Sequence, residues 1–197
     1  NADADVYIHA LEQAHQLKKE TIANPLSKGA SVVQWEFAGP TNIGGRVVDL
    51  EFDPNNPSII YAGFSTGGIF KSFDGGETWQ PIFDDQAVLT IGDIAIDPNN
   101  TNIIYVGTGE ANGGHNNFPG GGVFKSTDAG STWNFLGLEG TTSIGRIVIN
   151  PQNSNILYLA SVGSYFAPNP ERGIYKSTDA GLTWNHSLFI SDTTGFV

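Results

Sequence analysis

The sequence predicts an all-β chain of repeated four-stranded units with one helix ahead of them. Three observations carry this. An eight-residue phrase recurs three times: Ser72-Phe73-Asp74-Gly75-Gly76-Glu77-Thr78-Trp79, Ser126-Thr127-Asp128-Ala129-Gly130-Ser131-Thr132-Trp133 and Ser177-Thr178-Asp179-Ala180-Gly181-Leu182-Thr183-Trp184. Apolar runs of strand length stand at matching offsets upstream of every copy. The composition, with 25 Gly, 12 Phe, 6 Tyr and 4 Trp among 197 residues and 15% charged, is that of a turn-rich β protein rather than a disordered one.

Each position of the phrase has a mechanical task. The side chains of Asp74, Asp128 and Asp179 accept hydrogen bonds from backbone N–H groups just ahead, next to the hydroxyls of Ser72, Ser126 and Ser177. Gly76, Gly130 and Gly181 take a positive φ that a side chain opposes. The following Thr suits an outgoing strand, and Trp79, Trp133 and Trp184 offer flat bodies to bury between layers. The runs Gly68-Ile69-Phe70-Lys71, Gly122-Val123-Phe124-Lys125 and Gly173-Ile174-Tyr175-Lys176 precede the three copies. Each phrase therefore reads as a β-hairpin turn.

Aligning the phrases aligns what lies upstream. Val47–Pro54 matches Ile91–Pro98 and Ile144–Pro151, and each is followed by an Asn-rich turn and a second strand, Ile59–Gly63, Ile103–Gly107 and Ile156–Ala160. Four short antiparallel strands in about 50 residues, at a fixed period, are the sign of a β-propeller blade. The blades fall at about 43–83, 91–137 and 144–188, and Thr194-Gly195-Phe196-Val197 reads as the opening strand of a fourth. Rings close with about four to eight blades. The expectation is an incomplete ring, a fragment whose remaining blades come from the same or another chain.

Residues 1–34 form a helix and linker, and 35–197 the partial propeller. Asp3 or Asp5 can cap the helix, and Tyr7, Ala10, Leu11, Ala14 and Leu17 make an apolar stripe. Lys18 and Lys19 fall near its C-terminus, and Asn24-Pro25 and Gly29 end it. His9 and His15 are six apart, the wrong spacing for a metal pair, and read as surface histidines.

The formal charge of −11 argues against nucleic-acid phosphates and anionic membranes as partners. There is no Cys, hence no disulfide or thiol chemistry, and no Met; the start at Asn1 fits a processed or trimmed terminus. No apolar run is long enough to span a bilayer. No metal site and no cofactor are expected.

In such a fold the Asp-bearing turns share one face. The second-to-third strand loops and the blade-to-blade connections share the other, and these loops vary here as a binding surface does. Blade one has only Ser65-Thr66 there, blade two a long insertion, Thr108–Gly120, and blade three Tyr165–Arg172. The candidate binding residues are Arg46, Asp49, Asp93, Glu110, Asn112, His115, Phe118, Arg146, Tyr165, Phe166 and Arg172. Carboxylates, amides, arginines and aromatics together suit a sugar or a peptide. The competing reading is that Arg46 and Arg146 pair with acidic neighbours between blades.

The three phrases resemble the Asp-box, or BNR repeat, found in sialidases, xyloglucan-degrading endoglucanases, the sortilin-type receptor domain and secreted bacterial propellers. The wording of Trp35–Arg46 and of Glu171–Ser177 is similar to that of secreted bacterial proteins with sortilin-like propellers, some of which carry a type IX sorting domain. The resemblance implies a secreted or surface-attached protein. The xyloglucan-degrading relatives carry a catalytic Asp in a stretch matched here by Tyr61-Ala62-Gly63-Phe64-Ser65-Thr66-Gly67-Gly68. Ser65 occupies the Asp position and cannot serve as the acid. Sialidases use a Tyr nucleophile and an arginine triad, and Arg46, Arg146 and Arg172 are too unevenly placed for that. No catalytic residue is assigned, with Glu110 the one candidate acid. The expectation is a module that binds a glycan or protein partner. The alternatives are a glycoside hydrolase whose catalytic residues lie partly outside this chain and a structural propeller exported as type IX cargo.

Overall fold

The computed structural model describes residues 2–23, 45–114 and 117–197. Helix α1 spans Ala2–Ala23. Blade one comprises β1 (Val47–Asp53), β2 (Asn56–Phe64), β3 (Gly68–Ser72) and β4 (Gln80–Pro81). Blade two comprises β5 (Ile91–Ile96), β6 (Ile104–Thr108), β7 (Val123–Ser126) and β8 (Asn134–Phe135). Blade three comprises β9 (Ile144–Ile149), β10 (Leu157–Ser161), β11 (Gly173–Ser177) and β12 (Asn185–Leu188). Each blade is a four-stranded antiparallel sheet in chain order. The architecture is that of β-propeller blades. Val197 packs on Gly145, as Ile144 packs on Gly92, but residues 194–197 form no strand here, so the expected opening strand of a fourth blade is not seen.

The core lies between blades. Tyr61, Ile69 and Phe83 of blade one meet Ile91, Ile94, Ile104, Val106 and Phe124 of blade two. On its other face blade two sends Ala95, Tyr105 and Val123 against Ile144, Ile147, Leu157, Leu159 and Tyr175 of blade three. These strands are buried on both faces, so their side chains do not alternate cleanly between apolar and polar. The outward faces of blades one and three stay open among the described residues: Leu50 and Phe52 are 49% and 50% exposed, whereas Ile94, which matches Leu50, is 1% exposed. Gly107 faces the side chain of Ile144 so closely that a Cβ there has no room.

The three hairpin turns are built alike. The Ser hydroxyl donates to Asp Oδ1 at 2.8 Å and accepts the Gly N–H at 2.8–2.9 Å. The Thr N–H donates to Oδ1 at 2.8–2.9 Å, and the Thr hydroxyl to Oδ2 at 2.5–2.6 Å. Gly76, Gly130 and Gly181 have φ of 96°, 90° and 87°. Hydrogen bonds from Thr, first its hydroxyl and then its N–H, with a further one from Ser, hold each Asp down to about 2. A carboxylate held below its ordinary value stabilises the fold above that value and loses this as pH falls toward 2. The turns lie in solvent, so the effect is small.

The second and third turns are also fastening points for the blade before them. Lys71 Nζ donates to the Ala129 carbonyl at 2.9 Å, and Lys125 Nζ and Tyr105 Oη to the Ala180 carbonyl at 3.2 and 3.1 Å. These Lys–Tyr pairs sit opposite one another in register, with the ammonium 5.0–5.1 Å from the ring centre.

Two expectations need correction. The Trp residues are only half-buried, and to different depths. Trp133 packs edge-on against Phe83 at 5.1 Å and donates Nε1 to the Ile82 carbonyl, both in the preceding blade. Trp79, with no described blade before it, is 38% exposed and bonds to Gly76 in its own turn. Helix α1 runs on through Glu20–Ala23, so Lys18 and Lys19 precede its last turn. Val6 and Leu17 are 67% and 64% exposed. The linker signals at Asn24-Pro25 and Gly29 lie outside the described residues.

Ala129 and Ala180 sit at φ 56° and 58°, where Gly75 of blade one has 77°. A Cβ in the left-handed region costs about 1–2 kcal/mol, and Gly75 has open space around it. The Ala129→Gly variant is therefore expected to be more stable, by about 1 kcal/mol after the entropy of Gly in the unfolded chain is allowed for, and Gly75→Ala less stable. Chemical denaturation of the two variants measures both.

Candidate functional site

The loop-bearing face is organised by the long insertion of blade two. It leaves β6 through Gly109, whose N–H bonds the Thr90 carbonyl, and returns through Gly120, whose N–H bonds the Thr142 carbonyl. It is thus tied to the connections on both sides, while Gly121 N–H and the Gly122 carbonyl bond the buried Thr108 hydroxyl. Asn117 closes the loop internally, donating Nδ2 to the Glu110 and Asn112 carbonyls at 3.3 and 3.1 Å.

At the base of this loop stands Glu110, with a fully buried side chain. Its Oε2 accepts from the Ser65 hydroxyl at 2.8 Å and from the Arg46 guanidinium, which also donates to Ser65 Oγ at 2.9 Å. Its Oε1 is buried without a hydrogen-bond partner. Burying a carboxylate is costly unless it is paired and bonded, and removing one partner strands the other charge. Arg46 is half-exposed, with 51% of its side chain in solvent. One end of the pair is therefore locked between blades one and two and the other faces outward. Ser65, read from sequence only as a missing acid, is the hydroxyl that orients Glu110.

Blade three completes the rim. Tyr165 Oη donates to the Ala111 carbonyl and its ring lies against Gly113, joining the two loops. Burial, and then the negative charge of Glu110, raise the Tyr165 phenol above its ordinary value. Phe118 and Phe166 are 44% and 70% exposed, and Asn112 is also exposed. Arg172 is not part of this surface. It is 9% exposed and its guanidinium donates to the Val162, Ser164 and Ala167 carbonyls, holding its own loop. Asn169 Nδ2 ties that loop to the Gly140 carbonyl in the connection before it.

Asp49, Asp93 and Arg146 lie on the inner strands. Asp49 Oδ2 accepts the Ile94 N–H and Asp93 Oδ2 the Ile147 N–H, both at 2.7 Å, each clasping its strand to the next. Arg146 Nη1 reaches Asp93 Oδ1 at 3.3 Å. Arg46 and Arg146 thus both pair with acidic groups across a blade junction. His115 lies outside the described residues. Among the described residues there is no group of three or more His, Asp or Glu side chains placed to hold a metal ion.

Comparison with known proteins agrees with this architecture. The model of the BNR/Asp-box repeat matches residues 70–81. The chain is 28% identical over 156 residues to xyloglucanase Xgh74A of Acetivibrio thermocellus, covering 72% of this chain and 18% of that relative. Among solved structures, an ancestral GH74 enzyme superposes with a TM-score of 0.59 at 23% identity, over 78% of this chain and 19% of that one. The Niastella koreensis GH74 enzyme does so with a TM-score of 0.53 at 28% identity, over 71% of this chain and 22% of that one. The chain thus spans about a fifth of the length of the relatives it matches. It carries an Asp-box repeat and is distantly similar to the xyloglucanase propellers of GH74.

Proposed function

We propose that this chain is part of an exported propeller protein whose loop-bearing rim binds a β-glucan-type polysaccharide, and that the segment itself is not hydrolytic. The observation that carries this is the joined rim of blades two and three. The half-exposed guanidinium of Arg46, held by the buried Glu110, lies at the base of one loop, and the two loops carry the exposed rings of Phe118 and Phe166. Sugar rings lay apolar C–H faces on aromatics and bond their hydroxyls to guanidinium and amide groups, which Arg46 and the exposed Asn112 supply. The similarity to xyloglucanases supports the choice of polysaccharide. Among the described residues no helix is long and apolar enough to cross a membrane.

Hydrolysis needs a pair of carboxylates flanking the bond. Near Glu110 the second position is taken by Ser65, whose hydroxyl donates to it. A second reading, that the whole protein is a glycoside hydrolase with its carboxylates elsewhere, is favoured by the relatives, which are themselves xyloglucanases.

Phe166→Ala is expected to leave thermal stability unchanged, since that ring is mostly in solvent, and Phe118→Ala to lower it slightly, since that residue is half-covered; each is expected to weaken binding of xyloglucan oligosaccharides about five- to tenfold, measured by titration calorimetry. Undiminished binding in the double variant contradicts the rim site. Replacing 109–120 by a Ser-Thr-Gly turn like that of blade one is expected to abolish binding while circular dichroism still reports folded blades. Incubation of the parent with xyloglucan is expected to release no new reducing ends; release that is lost in Glu110→Gln favours the hydrolase reading.

A further inference from the structure

Two blade junctions are clasped by the same device, yet the two clasps sit in different surroundings. At the first, Asp49 on β1 holds the Ile94 N–H and is itself half-buried. At the second, Asp93 on β5 holds the Ile147 N–H and is 3% exposed. Its cross-strand neighbour on β6 is Gly107, which offers no polar side chain. From β1 it feels the negative charges of Asp49 and Glu51, and from β9 the positive charge of Arg146. Asp93 and Glu51 therefore share one guanidinium, and that guanidinium has 58% of its side chain in water, where its charge is screened.

We infer that the clasp between blades two and three is a pH-sensitive joint, tight when the Asp93 carboxyl is protonated and weakened when it ionises. The neutral carboxyl still accepts the Ile147 N–H through its carbonyl oxygen. What changes on ionisation is the burial of a charge beside two like charges. Burial, with further contributions from Asp49 and Glu51, outweighs the Ile147 N–H and Arg146, and raises Asp93 from an ordinary 3.8 to about 7. Burial, followed by Asp49, also raises Glu51. The sign follows from linkage. Between 3.8 and about 7 the folded chain holds a proton that the unfolded chain has released. Stability contributed by this joint is thus full below 3.8, falls as pH rises through that window, and is lost above it. Asp49, in the equivalent position, is more open to solvent.

The test is the melting temperature of the intact protein and of Asp93→Asn at a series of pH values from about 5 to about 8.5. Asparagine keeps the acceptor for Ile147 and removes the titration. The expected result is a difference between the two that changes with pH, the variant gaining on the parent by several degrees as pH rises to about 7 and holding that gain above it. Asp49→Asn, which removes one of the like charges beside Asp93, should show a weaker trend of the same sign. A difference between parent and Asp93→Asn that stays constant with pH, or a trend larger in Asp49→Asn than in Asp93→Asn, overturns the inference. Should Asp93→Asn fail to fold, the carboxyl-carbon NMR titration of Asp93 in the parent decides: a midpoint near neutrality supports the joint and one below about 5 refutes it.

Discussion

Everything in this structure depends on each blade being finished by its neighbour. A four-stranded sheet of this size has two apolar faces and cannot bury either alone. Three kinds of contact join one blade to the next. Apolar side chains interleave between the sheets. A Lys reaches the carbonyl of the next hairpin turn, joined at the second junction by Tyr105. An Asp on the inner strand takes a backbone N–H of the next inner strand. The last two satisfy polar groups that packing would otherwise strand. They recur at both junctions because each is written into the repeat. Where the neighbour is missing from the described residues, the same positions are wet: Tyr158 is 39% exposed, while its counterparts Tyr61 and Tyr105 are each 1% exposed.

The functional face inherits its geometry from this arrangement. The loops between second and third strands have no packing duty of their own and vary freely in length. They are nevertheless held where the junctions put them: Gly109 and Gly120 bond to connections on opposite sides, and Glu110 is gripped by two residues of the blade before. A surface assembled across junctions is rigid in its base and adaptable in its tips, as ligand sites on scaffolds of this kind are.

Much of the fold was legible in the sequence, because a repeat carries its own alignment. The Asp-turn bonds, the positive φ at its glycine and the strand order all follow from residues close in sequence. The site was legible only as a set of names. That Glu110 is buried, and paired with Arg46 64 residues away, is a matter of which loop folds over which strand. Arg172 has the composition of a binding residue, yet its guanidinium turns into its own loop and donates to carbonyls there. Trp79 and Trp133 share one motif and differ in burial because the wall against which the second packs belongs to the preceding blade. Asp93 reads as a rim residue until the inner strands are placed side by side.

The crystal structure of the protein with a bound xyloglucan oligosaccharide tests the central claim most directly. The account predicts sugar rings lying across the junction of blades two and three, on Phe118, Tyr165 and Phe166, with a hydroxyl near Arg46. A sugar bound instead at the Asp-turn face, or on the inner-strand wall with the loops untouched, would contradict it.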